Sequence, residues 1–232
     1  MRLTLLTLLL LSGSVLAAPT PLPEGAKKYA PILKEEITLK WPSLKQRSSL
    51  AGQVEQETCI SLKHSKCWSP RAELKTSREH GVGFGQFTTA YKSDGTILFD
   101  ATSDVRKLDK DLSSWKGEGV WDPRLQLRAL VVYDFSIFRK LPTAILDEYE
   151  RLAFMFASYN GGLGGTLQDR RVCASTKGCD QNKWFGNVEN TSLKQKTKVQ
   201  GYGKSFFEIN REYPKNILTI RRQKYEQIMS GV

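Results

Sequence analysis

The sequence is poor in the side chains that hold metals and cofactors. Two histidines, His64 and His80, and four cysteines serve all 232 residues. Seven residues separate Cys59 from Cys67 and five separate Cys173 from Cys179. Neither interval fits the usual ligand spacing of a zinc site, and each histidine reads as a surface or turn residue. No metal and no cofactor is therefore expected. Acidic side chains are also scarce, 24 against 35 basic ones, for a formal charge of +11. A surface of that sign attracts polyanions. Beyond the first 17 residues there is no run apolar and long enough to span a bilayer, which takes about 20 residues. Internal repeats, heptads and sustained strand-like alternation are absent, which argues against a solenoid, a coiled coil or a large β architecture.

The one long apolar run stands at the start. Met1-Arg2, the run Leu3 to Leu11, and Ser12 to Ala17 with Val15 and Ala17 at the cleavage-site positions form a tripartite export signal. Residues 1–17 are read as a signal peptide, with an uncleaved anchor as the alternative. No cysteine follows the cleavage site to take a lipid. Export places the protein in the periplasm or extracellular envelope, where disulfides are the expected state of the cysteines. Of the three pairings that four cysteines allow, the two local ones are favoured. Losing Arg2 with the signal takes +11 to +10. For an exported protein the available polyanions are envelope polymers and anionic lipid; no nucleic-acid-binding motif is present.

Residues 18–24 form a proline-rich, extended leader. Beyond it the pattern is mainly helical. Tyr29, Ile32, Leu33 and Ile37 recur at helix spacing before Trp41-Pro42, and Leu50, Val54 and Glu57 share a later helix face. Residues 60–82 read as a loop clamped at its base, with at most a short strand or hairpin near 82–100. Asp122-Pro123 predicts a helix start, with Asp as cap and Pro in the first turn. That helix runs to Leu141-Pro142, and another follows through Tyr149, Phe156 and Tyr159. Residues 161–203 read as irregular, and two helical stretches flank Pro214. The fold class is mainly α, one domain over residues 25–232.

Three segments carry chemistry. Glu57 lies on the apolar face of its helix, where lost hydration favours the protonated form and so a proton donor at neutral pH. Glu55 points the other way and is expected to be solvated. The helix pattern alone equally fits a structural acid at 57. Residues 81–87 place glycines at 81, 83 and 85 before Gln86. They lack the Lys-Ser/Thr ending of a phosphate loop, so Gln86 is an amide suited to sugar hydroxyls, or the segment is a plain tight turn. Tyr159-Asn160 ends a helix before Gly161 and Gly162.

In this order the segments resemble the catalytic domain of soluble lytic transglycosylases, relatives of goose-type lysozyme. Glu57-Thr58 matches the family's Glu-Ser, and Gly83-Phe84-Gly85-Gln86 matches its Gly-Leu-Met-Gln turn. Ser158-Tyr159-Asn160-Gly161-Gly162 matches its Ala-Tyr-Asn-Ala-Gly segment. The resemblance covers about residues 45 to 170. It departs at Gly85, which replaces Met, and in residues 60–76, which look inserted. It implies a lysozyme-like fold and cleavage of peptidoglycan glycan strands by Glu57. Thr58, Ser77, Gln86, Phe87, Tyr159 and Asn160 are implied as substrate-site residues, with Tyr159 holding the Glu57 carboxyl and Ser77, Gln86 and Asn160 touching sugar. The implied partners are peptidoglycan and, as one setting among several, envelope-spanning machinery. A muramidase using water at the same Glu and a non-catalytic wall-binding protein are the alternatives. Asp94, Asp100 and Asp104 are, by position only, candidates for a second carboxylate.

Overall fold

The computed structural model describes residues 21–193, 196–198 and 203–230. The signal segment 1–17 lies outside the described residues, as does the start of the leader. Helix α1 (Glu24–Lys40) already includes the leader's last residue and carries Pro31 internally. Its buried face, Ala26, Ala30, Leu33 and Ile37, packs on α4 (Pro123–Lys140). Buried Glu36 binds Arg128 at 2.8 Å and Arg124 at 3.0 Å across that contact. The start of α4 is as expected: Pro123 sits in the first turn and Asp122 accepts from Leu125 N at 2.8 Å. At its far end, Arg151 donates to the carbonyls of Phe138, Leu141, Pro142 and Ile145. One guanidinium thus satisfies the orphan acceptors of the Leu141-Pro142 corner.

Helix α2 (Ser48–Thr58) is central. Residues 48 to 55 are buried without a break, because the chain after Pro214 covers the side that an amphipathic reading would leave to solvent. A four-stranded antiparallel meander follows: β1 (Glu73–Lys75), β2 (Glu79–Val82), β3 (Phe87–Tyr91) and β4 (Ile97–Asp100), in that spatial order. The sheet exceeds the single hairpin expected, and β1 and β2 occupy part of the supposed loop. Helix α3 (Ala101–Arg106) leads on towards α4.

Helix α5 (Glu148–Gly161) is buried from Leu152 to Ser158. It packs on α4, on α6 (Leu163–Ala174) and on α7 (Phe206–Lys215). Helix α6 corrects the irregular reading of 161–203 at its start only, the described residues from 175 to 193 being turns and coil apart from one short 3₁₀ turn: Gly162, at φ 82°, ends one helix and the next starts at once. Proline 214 does not break the chain into two helices either. Helix α7 runs through it into a wide π turn over residues 216–221, then 3₁₀ turns and α8 (Glu226–Met229). A proline supplies no N–H to the ladder, and wider turns absorb the mismatch. The architecture is mainly α with one small sheet, as the sequence implied. Disulfides join Cys59 to Cys67 and Cys173 to Cys179, the two local pairings. No helix among the described residues is long and apolar enough to cross a membrane.

Candidate active site

Glu57 lies in the last turn of α2 with its carboxyl where two pockets meet. On the sheet side, an open pocket of about 380 Å³ is lined by Glu57, Thr58, Lys66, Glu73, Glu79 and Gln86, among others. On the helix side, a pocket of about 180 Å³ is lined by Glu57, Gln86, Phe87, Phe99, Tyr133, Tyr159 and Asn160, among others. The two pockets share Glu57, Gln86 and Thr88, so the acid stands midway along a cleft with a charged end and an aromatic end. Burial pushes its carboxyl up to about 7, and a hydrogen bond holds it below what burial alone would give. That bond comes from the phenol of Tyr213, which donates to Glu57 Oε1.

The donor is a correction. Tyr159 does not hold the Glu57 carboxyl; its hydroxyl donates to the Gly85 carbonyl at 2.6 Å. The two phenol rings stack nearly parallel, 7° apart with centroids at 6.2 Å. Burial first, then the charge of Glu57, raises both phenols well above their usual range, so both stay protonated and donating. Tyr213 is fixed from its own helix. Arg211 donates to Asp169 at 2.8 Å and to Thr191 O at 2.6 Å, while Asn210 donates to Ala157 O at 2.8 Å.

The turn before Gln86 is built around close contacts. Gly83 has φ 70°, and a Cβ there would lie 2.3 Å from Gln126 Oε1, which accepts from Phe84 N. A Cβ on Gly85 would lie 2.6 Å from the Phe87 ring and 2.7 Å from the Tyr159 hydroxyl. That contact explains the departure from methionine: here two aromatic rings occupy the space of a side chain. Gln86 itself has φ 44°, a region that costs a non-glycine residue of order 1 kcal/mol or more. Its Nε2 donates to Ala72 O at 3.1 Å and Gly83 O at 2.8 Å. Its donors are thus spent on the protein backbone, a difference from the expected sugar contact, while Oε1 is left as the acceptor.

The remaining expected residues divide. Asn160 is exposed on the cleft and its Oδ1 accepts from Asn210 at 3.3 Å. Phe87 is buried and packs edge-on to Trp115 and Tyr159. Thr58 borders the cleft, but its hydroxyl donates to Val54 O at 2.6 Å and accepts from Trp68 N at 3.0 Å. It fastens the disulfide loop to the end of α2. Ser77 is exposed in the β1–β2 turn and lines neither pocket; the structure does not bring it to Glu57. Glu55 is also corrected. It is buried, with Arg221 and Lys224 each at 2.8 Å and the Tyr225 phenol on Oε2. Of the proposed second carboxylates, Asp94 binds Thr96 in a turn, Asp100 caps α3 and Asp104 pairs with exposed Lys107. None lines the cleft, whereas Glu73 and Glu79 do. Glu73 also meets His80 at 2.6 Å.

No protein-family model matches the chain. The chain is 31% identical over 114 residues to the membrane-bound lytic murein transglycosylase F of Vibrio campbellii (strain ATCC BAA-1116). The match takes in 48% of this chain and 20% of that protein. The chain therefore spans about a fifth of the length of the curated relative it matches.

Proposed function

We propose that this chain cleaves peptidoglycan glycan strands as a lytic transglycosylase, with Glu57 as acid and then base. The observation that carries the proposal is a carboxyl raised to about 7, placed midway along a cleft and held by a phenol. An acid of that strength donates and recovers a proton at neutral pH. The similarity to a lytic murein transglycosylase supports the substrate class.

In the proposed reaction, Glu57 protonates the glycosidic oxygen between N-acetylmuramic acid and N-acetylglucosamine. The bond from the muramoyl anomeric carbon to that oxygen breaks. The ionised carboxylate then takes the proton of the muramoyl 6-hydroxyl as its oxygen bonds to the anomeric carbon. Glu57 ends protonated, one glycosidic bond has been exchanged for an internal one, and no water is consumed. Tyr213 steadies the carboxylate between the two steps. The proposal treats residues 25–232 as one working domain, since the acid on α2 takes its hydrogen bond from α7. It also includes export, which suits two disulfides.

Hydrolysis by a muramidase is the second reading, favoured by Glu73 and Glu79 in the same pocket as Glu57. Two carboxyls flanking the bond are the usual hydrolytic arrangement. Purified peptidoglycan treated with wild type or Glu57→Gln tests the proposal through the mass of the soluble fragments. Transglycosylation predicts fragments one water lighter than reducing muropeptides, absent with the variant. Reducing fragments would shift the assignment to hydrolysis, and soluble fragments from Glu57→Gln would remove Glu57 from the mechanism.

A further inference from the structure

One helical turn before Glu57, Gln53 of α2 faces Asp134 of α4. Both side chains are at 0% exposure. Gln53 Nε2 donates to Asp134 Oδ1 at 3.4 Å. The other oxygen of each group, Gln53 Oε1 and Asp134 Oδ2, is buried without a hydrogen-bond partner among the described residues. Two orphan acceptors in a dry site are costly, and an ionised carboxylate there without a cation is costlier still. A single proton satisfies both. With Asp134 protonated, Oδ2–H donates to Gln53 Oε1 while Nε2–H donates to Oδ1, closing a ring of two antiparallel hydrogen bonds.

Asp134 feels the charge of Glu57 from α2, and the titratable groups that its own charge would reach are Tyr133 from α4 itself, Tyr159 from α5 and Tyr213 from α7. None of them carries positive charge, so nothing in this set favours the carboxylate. Burial pushes Asp134 well above the carboxylate range; the Gln53 hydrogen bond pulls it part of the way back, and the charge of Glu57 pushes it up again. Asp134 lines neither cleft pocket, so it does not reach substrate and cannot be the second carboxylate of a hydrolase.

We propose that Asp134 is kept as a neutral carboxylic acid in a cyclic pair with Gln53, latching α2 to α4 beneath Glu57 and serving as a positioning residue for that acid. The latch fixes the turn of α2 that presents Glu57. Being uncharged, it also leaves Glu57 as the carboxyl of the two that ionises first.

The test is ¹³C NMR of the full chain labelled at Asp carboxyls, titrated from acid through neutral pH. One resonance, missing from Asp134→Asn, is expected to hold its protonated shift past the pH at which Glu57 titrates. In Glu57→Gln its midpoint falls, because the neighbouring charge is gone. An ionised shift for that resonance at about pH 6, near an ordinary upper limit for carboxylates, overturns the proposal. Kinetics supply the second readout. Asp134→Leu leaves both ends of the Gln53 amide unpaired and is expected to lower kcat on the order of tenfold or more, as small displacements of an acid do. Asp134→Asn can close the same ring as an amide pair and is expected to restore that loss with the basic limb of the pH profile in place. Asp134→Leu at wild-type kcat, or an Asn variant no better than Leu, counts against the latch. The NMR result needs no turnover, so failure of the latch is distinguishable from failure of the transglycosylase reading.

Discussion

Replacing the catalytic candidate should stabilise the protein above neutral pH. Glu57 moves from an ordinary 4.5 to about 7 on folding. The native state therefore holds a proton that the unfolded chain releases, and stability falls as pH rises between those two values. The shift of about 2.5 units corresponds to an upper value of ~3.4 kcal/mol, at ~1.36 kcal/mol per unit. Glu57 borders an open cleft, where water screens part of the effect, so we take about 2 kcal/mol. Glu57→Gln has no charge to desolvate, and its amide oxygen still accepts from Tyr213. At ~2–4 °C per kcal/mol for a chain of this size, the variant should melt about 4–8 °C above wild type at about pH 8. Below the unfolded value both forms are neutral and the gap should close. Calorimetry across the pH range reads it directly. A variant less stable than wild type at pH 8, or a gap that does not vary with pH, would refute the assignment of a raised, buried carboxyl.

Tyr213→Phe removes the hydrogen bond that holds Glu57 down. The basic limb of kcat/KM should then move up by about one unit, since a bond to a charged group contributes ~1.5–3 kcal/mol and the cleft is partly wet. A limb that stays or moves down excludes Tyr213 as the donor. Gly85→Met, which introduces the residue of the family that the turn resembles, drives a side chain into Phe87 and the Tyr159 hydroxyl. It should lower the melting temperature by an amount matching about 1–3 kcal/mol; unchanged melting would mean that the rings yield freely. Replacing Cys59 and Cys67 by serine opens a short loop whose Ile60 and Lys66 line the sheet-side pocket. The expected destabilisation is about 2.5 kcal/mol from loop entropy, read by chemical denaturation.

The helices were legible because their signals are local. Asp122-Pro123 caps and starts α4, and Leu33 and Ile37 mark the buried face of α1. The sheet was not. Its strands are three to five residues long, and Leu74, Ile97, Leu98 and Phe99 face solvent. Neither face gives the alternation that marks a half-buried strand. Helix α6 hid behind glycines and a polar sequence whose few buried positions, Thr166, Asp169 and Cys173, carry little apolar signal. At the site, Glu57 could be read from the helix face it shares with Leu50 and Val54. Glu55 was misread because α2 has no solvent side, its outer face being covered by Arg221, Lys224 and Tyr225. Tyr213 lies 156 residues from Glu57. Its neighbours Glu212 and Pro214 give no sign of an acid partner, and only the packing of α7 on α5 brings it there. Residues Tyr133, Phe99 and Glu73, on α4, β4 and β1, were missed because tertiary packing and not local pattern brings them to the cleft.

The central claim is that one carboxyl does the chemistry and that water takes no part. Digestion of purified peptidoglycan in ¹⁸O-enriched water, followed by mass analysis, tests it most directly. The account predicts fragments that carry no label and weigh one water less than reducing muropeptides, with Glu73→Gln giving the same products as wild type. Incorporation of one ¹⁸O per cleavage, lost with Glu73→Gln, would contradict it and make the protein a two-carboxylate hydrolase.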